Sequence, residues 1–244
     1  MIPKSHPRYA SLKTRDLIVN GIKNRITSFH GLVAHGRGEA FDYLIGEKTH
    51  EFAKKSIEAS AALLLSAKHP VISVNGNSAA LVPKELAKLS EAVPAGLEVN
   101  IFHSSKQREI KIKNHLKKYG AENVMLPSKK YKIKFLESNR KYVNSNGILK
   151  ADVVFVPLED GDRTEALVRN GKKTITIDLN PLSRTSRKAT ITIVDNITRA
   201  MPLLTKTIVK FRKYGKNKLR KIIKNYNNKK NLEKSLEYML QNFP

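Results

Sequence analysis

From residue 70 onwards the chain alternates short β-branched runs with stretches of helical periodicity, and this alternation constrains the fold more than any other feature. The runs are Val71–Asn75, Leu97–Phe102, Asn123–Leu126, Asp152–Val156, Thr174–Asp178 and Thr190–Val194. Helical stretches lie between most of them, at Ser78 to Val93, Ser104 to Tyr119 and Arg163 to Asn170. Strands alternating with helices imply right-handed crossovers, hence an α/β fold with a mostly parallel sheet covered on both faces. Before the first strand the pattern is helical. Ser11 or Thr14 is expected to cap a helix through Leu17, Ile18 and Ile22, and Thr49 a longer one carrying Phe52 to Leu65 until His69-Pro70 stops it. No long flexible linker divides these parts. The expectation is one α/β domain over residues 1–244, with a helical N-terminal region (1–69), a sheet core (70–205) and a lysine-rich helical end (206–244).

With 40% apolar residues the chain can bury a sizeable core. It has no cysteine, which rules out disulfides, thiolate metal sites and cysteine nucleophiles. No apolar run approaches the ~18 residues of a membrane span, and the N-terminal Met1 to Arg8 lacks the apolar core of a signal peptide. A cytoplasmic protein is expected. The net charge of +25 raises a second function class, a basic nucleic-acid-binding module without catalysis. Its distribution argues otherwise. The acid-free stretch from Lys206 to Lys230 carries Leu219, Ile222, Ile223 and Tyr226 at helical spacing, so its lysines include the solvated face of an amphipathic helix. A positive field also serves small anionic ligands.

The densest polar segment is Ser28–Asp42, with His30, His35, Arg37 and Glu39 among glycines at 31, 36 and 38. Glycine lets a backbone turn tightly and approach a ligand, and the cations suit anionic oxygens, so the segment reads as a binding site rather than a plain loop. In open parallel sheets ligands sit beyond the carboxyl ends of the strands. Three such ends carry polar side chains: Asn75-Gly76-Asn77 after the first strand, Asp178 to Ser186 with Asn180, Arg184 and Thr185 after the fifth, and Asp195-Asn196 after the sixth. Several standard signatures fail. The chain has no phosphate-binding Gly-x-x-x-x-Gly-Lys-Ser/Thr, and Phe41 stands where a dinucleotide fingerprint needs its third glycine. It has neither His-Glu-x-x-His for zinc nor the Gly-x-Ser-x-Gly elbow of a hydrolase.

Three long motifs, Ile2 to Asp16, His30 to Leu44 and Asp178 to Thr185, resemble those of the archaeal-type phosphopantothenate synthetases, or 4-phosphopantoate–β-alanine ligases. The resemblance runs nearly end to end and is weakest in the lysine-rich end. It implies a Rossmann-like homodimer that joins 4-phosphopantoate to β-alanine at the expense of ATP, yielding 4'-phosphopantothenate, AMP and diphosphate in coenzyme A biosynthesis. By motif, the ATP contacts fall on Arg15, Arg37, Asp178, Leu179, Asn180, Arg184, Thr185, Asn196 and Ile197.

A carboxylate acylates poorly until it is activated, so the implied route passes through an acyl-adenylate. Arg15 and Arg37 are assigned to the triphosphate, with Mg2+ expected on diphosphate oxygens, and Asp178 and Asn180 to the ribose or adenine. Asn75, Gly76 and Asn77 are assigned to the 4-phosphate of phosphopantoate. The base that deprotonates β-alanine is assigned to His35, with His30 and Glu39 behind it.

Overall fold

The computed structural model describes residues 3–6 and 8–241, so Ile2 and Pro7 of the first motif lie outside the described residues. Three helices come first: α1 (Tyr9–Lys23), α2 (Phe29–Leu44) and α3 (Glu51–Ser66). The α/β part follows, with β1 (Pro70–Val74), α4 (Gly76–Leu81), α5 (Pro83–Ala92), β2 (Gly96–Val99), α6 (Lys106–Lys118), β3 (Val124–Met125), β4 (Ser128–Lys132), β5 (Tyr142–Val143), β6 (Val153–Val156), α7 (Gly161–Arg169), β7 (Lys173–Ile177), α8 (Arg184–Lys188) and β8 (Ile191–Ile193). Helices α9 (Ile197–Phe211), α10 (Lys216–Lys224) and α11 (Asn228–Gln241) complete the chain. Among the described residues no helix is long and apolar enough to cross a membrane.

All six expected runs are strands of one parallel sheet in the order β3-β2-β1-β6-β7-β8. Counting only these six, the order is that of a Rossmann-like sheet, reversing between β1 and β6. Strand β6 shows why the runs are continuously apolar: Val153 and Phe155 enter the larger core with α3, α5 and α9, while Val154 and Val156 enter a second core with Ala166 and Leu167 of α7. A strand buried on both faces has no polar side to alternate with. The flanking regions join the larger core through Phe52 and Ile57 of α3, Leu219 of α10 and Leu232 and Met239 of α11.

Several local expectations are corrected. The glycine-rich segment is not a turn but the interior of α2, capped by Ser28, whose hydroxyl accepts the Gly31 N–H. Ser11 and Thr14 lie inside α1 rather than at its start, and Thr14 bonds back to the Ala10 carbonyl. Helix α3 is preceded by His50, which makes no side-chain cap; Thr49 instead donates to Asp195 at 2.6 Å. The helix expected over Ser78 to Val93 is two, because Pro83 has no N–H to continue α4 and is preorganised to open α5. The lysine-rich stretch at 129–134 falls largely in β4, which pairs antiparallel with β5.

Candidate active site

The crevice lies where the strand order reverses. Asn75, directly after β1, caps α4 by accepting the Ser78 N–H at 3.0 Å and donates across the divide to the Leu158 carbonyl beyond β6 at 2.6 Å. Above this seam opens a cavity of about 760 Å3, bounded by the segments after β1, β2, β6, β7 and β8 and walled by α2. It is the size of an ordinary small-molecule site.

Residues far apart in sequence meet here. His30, His35, Arg37 and Glu39 line the cavity from α2, Asn75, Gly76 and Asn77 from the end of β1, Asp178, Leu179, Asn180, Arg184 and Thr185 from the segment after β7, and Asn196 and Ile197 from that after β8. Arg15 does not reach the lining. It sits on α1, pairs with Glu39 at 3.0 Å and donates to the Tyr43 hydroxyl at 3.2 Å, so it bears on the cavity through Glu39.

The segment after β7 is ordered by its own side chains. Asp178 accepts from the Ser183 hydroxyl at 2.5 Å and from the Asn180 N–H at 2.9 Å, and burial pushes its carboxyl above the usual range. Asn180 accepts the Leu182 N–H at 2.9 Å, and Thr185 donates to the Glu159 carbonyl at 2.9 Å. Arg184 contributes to the wall, yet its guanidinium turns to Glu165 of α7 at 2.7 Å. After β8, Asn196 caps α9 and donates to Asp42 of α2 at 2.8 Å, while Arg199 bridges Asp42 and Asp195.

Asn75 and Asn77 spend their side chains inside the protein. Asn77 accepts from Thr27 and donates to the Gly31 carbonyl at 2.8 Å. His35 is the opposite case: its Nε2 is buried without a hydrogen-bond partner among the described residues, 4.0 Å from Glu39, and burial lowers its pKa. A ring in the cavity wall whose neutral form burial favours, and whose Nε2 lacks a partner, is chemically suited to take a proton.

The cavity also holds groups that the sequence reading missed. Arg140 is almost wholly buried, pairs with Glu159 and with Asp160 at 2.8 Å, and donates to Asn100 at 3.2 Å. Glu159 also pairs with the fully buried Arg163. His103 and Arg108 line the opposite end, with Phe102 between them and β2. For His103, Arg108 and Glu159 the signal was available, since the strand-end rule that marked Asn75, Asp178 and Asn196 applies equally to the ends of β2 and β6; Arg140, between β4 and β5, follows no strand of the parallel sheet. Among the described residues no three His, Asp or Glu side chains converge as a metal site.

The comparisons with known proteins agree with one another. The family model for phosphopantothenate/pantothenate synthetase matches residues 52–242. The 4-phosphopantoate–β-alanine ligase of Thermococcus onnurineus is 55% identical over 234 residues, covering 95% of this chain and 89% of the relative. The protein of the same name from Thermococcus kodakarensis is 54% identical with the same coverage, and that from Methanosarcina mazei 49% identical over 96% of this chain and 92% of its own. With relatives about half identical along nearly its whole length and a family model spanning most of it, the chain belongs to the phosphopantothenate/pantothenate synthetase family.

Proposed function

We propose that the chain condenses 4-phosphopantoate with β-alanine to 4'-phosphopantothenate, consuming ATP and releasing AMP and diphosphate. The observation that carries this reading is the convergence of Arg37 and the α2 imidazoles with the segments after β7 and β8 on one cavity at the strand-order reversal. In the first step the pantoate carboxylate attacks the α-phosphorus; a P–O bond forms, the bond to the β-phosphate oxygen breaks, and diphosphate leaves with that electron pair. Both reactants are polyanions, so the step needs fixed positive charge. Arg37 supplies it beside Asp178, and Arg15 acts from behind by holding Glu39. Asp178 and Asn180, fixed by their own turn, receive ribose or adenine hydroxyl and amino groups, with Thr185, Asn196 and Ile197 completing that end; Leu179 packs the wall.

Mg2+ is commonly bound by substrate phosphates and one or two carboxylates. Asp160 and Asp162, both exposed at the cavity rim, fit that donor set. The ion would neutralise charge on the departing diphosphate.

In the second step the β-alanine nitrogen attacks the acyl carbon, the C–N bond forms, and AMP leaves with the C–O electron pair. The nitrogen first gives its ammonium proton to Nε2 of His35, and the second proton that it sheds as the amide forms leaves on a phosphate oxygen of AMP. Substituting His35→Asn is expected to slow turnover more than about tenfold at saturating substrate, and a rate within about threefold of the parent overturns the base role. The resemblance also carries a homodimer, which light scattering tests directly.

The deciding experiment is a nucleotide product assay with Mg-ATP, 4-phosphopantoate and β-alanine, omitting each in turn. AMP formed with phosphopantothenate from the complete mixture supports the ligase. ADP, or no turnover, overturns it and returns the +25 charge to the front in favour of a nucleic-acid partner.

A further inference from the structure

The two ends of the cavity differ in charge. Its acids from the strand ends, Glu159, Asp160, Asp162, Asp178 and Asp195, all follow β6, β7 or β8. The end beyond β1 and β2 has none of these and presents Arg108, His103 and His30. Glu39, the other carboxylate in the lining, comes from α2 and is neutralised by Arg15. Arg140, Arg184 and Arg199 are each committed to carboxylates. Arg108 is not. It forms no ion pair among the described residues, is half-buried, and donates only to two backbone carbonyls, those of Ile26 at 3.3 Å and His103 at 3.4 Å, while its Nε is buried without a partner. Desolvation without a counter-charge lowers its pKa.

A guanidinium in that state gains most from a polyanion that restores the lost solvation. The imidazoles of His30 and His103 stand beside each other, ring centroids 4.9 Å apart, and an imidazole N–H donates to a phosphate oxygen in either protonation state. A dianion placed at the acid-lined end would be repelled unless a metal shielded it; at this end the segments after β1 and β2 bring no carboxylate into the cavity lining, and Glu137 lies outside it, beside His103 in the adjoining pocket. The side chains of Asn75 and Asn77 are already engaged, so the segment after β1 brings only backbone N–H groups from the start of α4 and no charged donor.

We propose that Arg108, flanked by His103 and His30, receives the 4-phosphate of phosphopantoate and so selects the phosphorylated acid over free pantoate. The inference rests on the ligase reading and moves the phosphate from the Asn75–Asn77 segment to the far side of the β1 end. The nucleotide is thereby assigned to the β7–β8 end and the phosphopantoate phosphate to the β2 end, with the reacting carboxylate between them.

The test compares kcat and KM for 4-phosphopantoate, pantoate and ATP in the parent, Arg108→Gln, Arg108→Lys and His103→Asn. For Arg108→Gln, KM for 4-phosphopantoate is expected to rise about 30-fold or more with KM for ATP within about threefold, and preference over pantoate to collapse; Arg108→Lys retains part of it. Inorganic phosphate should inhibit the parent competitively against 4-phosphopantoate and lose that effect in Arg108→Gln. Since Arg108 also ties Ile26 to the loop before α6, thermal melts check that the variants fold, and His103→Asn supplies a second, milder loss of the same kind. Undiminished preference for the phosphorylated acid in folded Arg108→Gln overturns the assignment. A parent enzyme that makes no AMP instead overturns the ligase reading; calorimetric binding of 4-phosphopantoate to parent and Arg108→Gln then still decides whether Arg108 holds the phosphate.

Discussion

Helices α2 and α3 are neighbours in sequence and equal in length at 16 residues, yet they are held by different forces. Helix α3 buries ten of its residues, among them Phe52, Ile57, Leu63 and Leu64, against α9, β8 and the C-terminal helices. Helix α2 buries only Asp42. It is attached by polar hooks, namely Asn77 to the Gly31 carbonyl, Arg15 to Glu39, and Arg199 and Asn196 to Asp42, with Leu32, Phe41 and Leu44 half-buried against the core. One helix is core and the other is a wall of the cavity. Few apolar contacts and three glycines place α2 at the low end of local stability, where elements that contact ligands are commonly found. The difference shows how the fold separates its tasks, with α3 carrying packing energy and α2 carrying donors.

The largest expected contrast is in truncation. Ile57→Ala in α3, where the side chain is 2% exposed, should cost about 2–5 kcal/mol in chemical denaturation. Val33→Ala in α2, at 73% exposure, should stay within about 0.5 kcal/mol. A loss above about 1 kcal/mol at Val33 would break the comparison by showing that the outer face of α2 is covered in solution, as a homodimer could do.

How much of this was legible in the sequence follows the same division. The strands and α3 announce themselves because continuous burial demands unbroken apolar runs or a broad apolar face, as in Val153–Val156 and Ile57–Leu64. Helix α2 does not, since its glycines read locally as turn residues and its helical state depends on partners contributed by α1, α9 and the β1 end. The convergence of Asp178, Asn196 and Asn75 was legible from strand ends alone. Arg108 and Glu159 were not found, because the ends of β2 and β6 were not read in the same way, and Arg140, which lies between β4 and β5, follows no strand of the parallel sheet. Arg15 was assigned to the nucleotide through the family motif, and sequence could not show that Glu39 stands between it and the cavity. The break at Pro83 was written in the residue itself and overlooked in favour of the surrounding periodicity.

The glycines of α2 sharpen the comparison at smaller scale. A Cβ on Gly31 would stand 2.2 Å from Asn77 Oδ1 and 2.4 Å from Thr27 Oγ1, so both side chains would have to move and give up the hydrogen bond between them. Gly31→Ala should lose about 1–2 kcal/mol, overpacking outweighing the gain in helix propensity. Gly36 has open space around it and does not line the cavity. Gly36→Ala should therefore gain about 0.5–1 kcal/mol, seen as a rise of about 1–4 °C in Tm. If that gain comes with a fall in kcat, α2 moves during turnover; unchanged kcat leaves it a fixed wall.

The smallest effect expected is in pH, and it reaches α2 without touching α3, whose buried residues do not titrate in the neutral range. Burial lowers the pKa of His35 below the ordinary 6.5, outweighing Glu39 and Asp42, which favour the cation, while Arg15 works with burial. The unfolded chain then binds a proton more readily than the folded one, so the stability due to the neutral ring is present above pH 6.5 and declines as pH falls through 6.5 toward the folded pKa. The buried carboxyls of Asp178 and Asp195, raised by desolvation, act in the opposite sense at lower pH, which makes the difference between parent and His35→Asn the informative quantity. Denaturation at pH 5.5 and 7.5 should show the parent losing more stability on acidification than His35→Asn does. Equal losses would mean that His35 is as easily protonated in the fold as in water, removing both its contribution to the pH response of α2 and the physical reason for assigning it the proton of β-alanine.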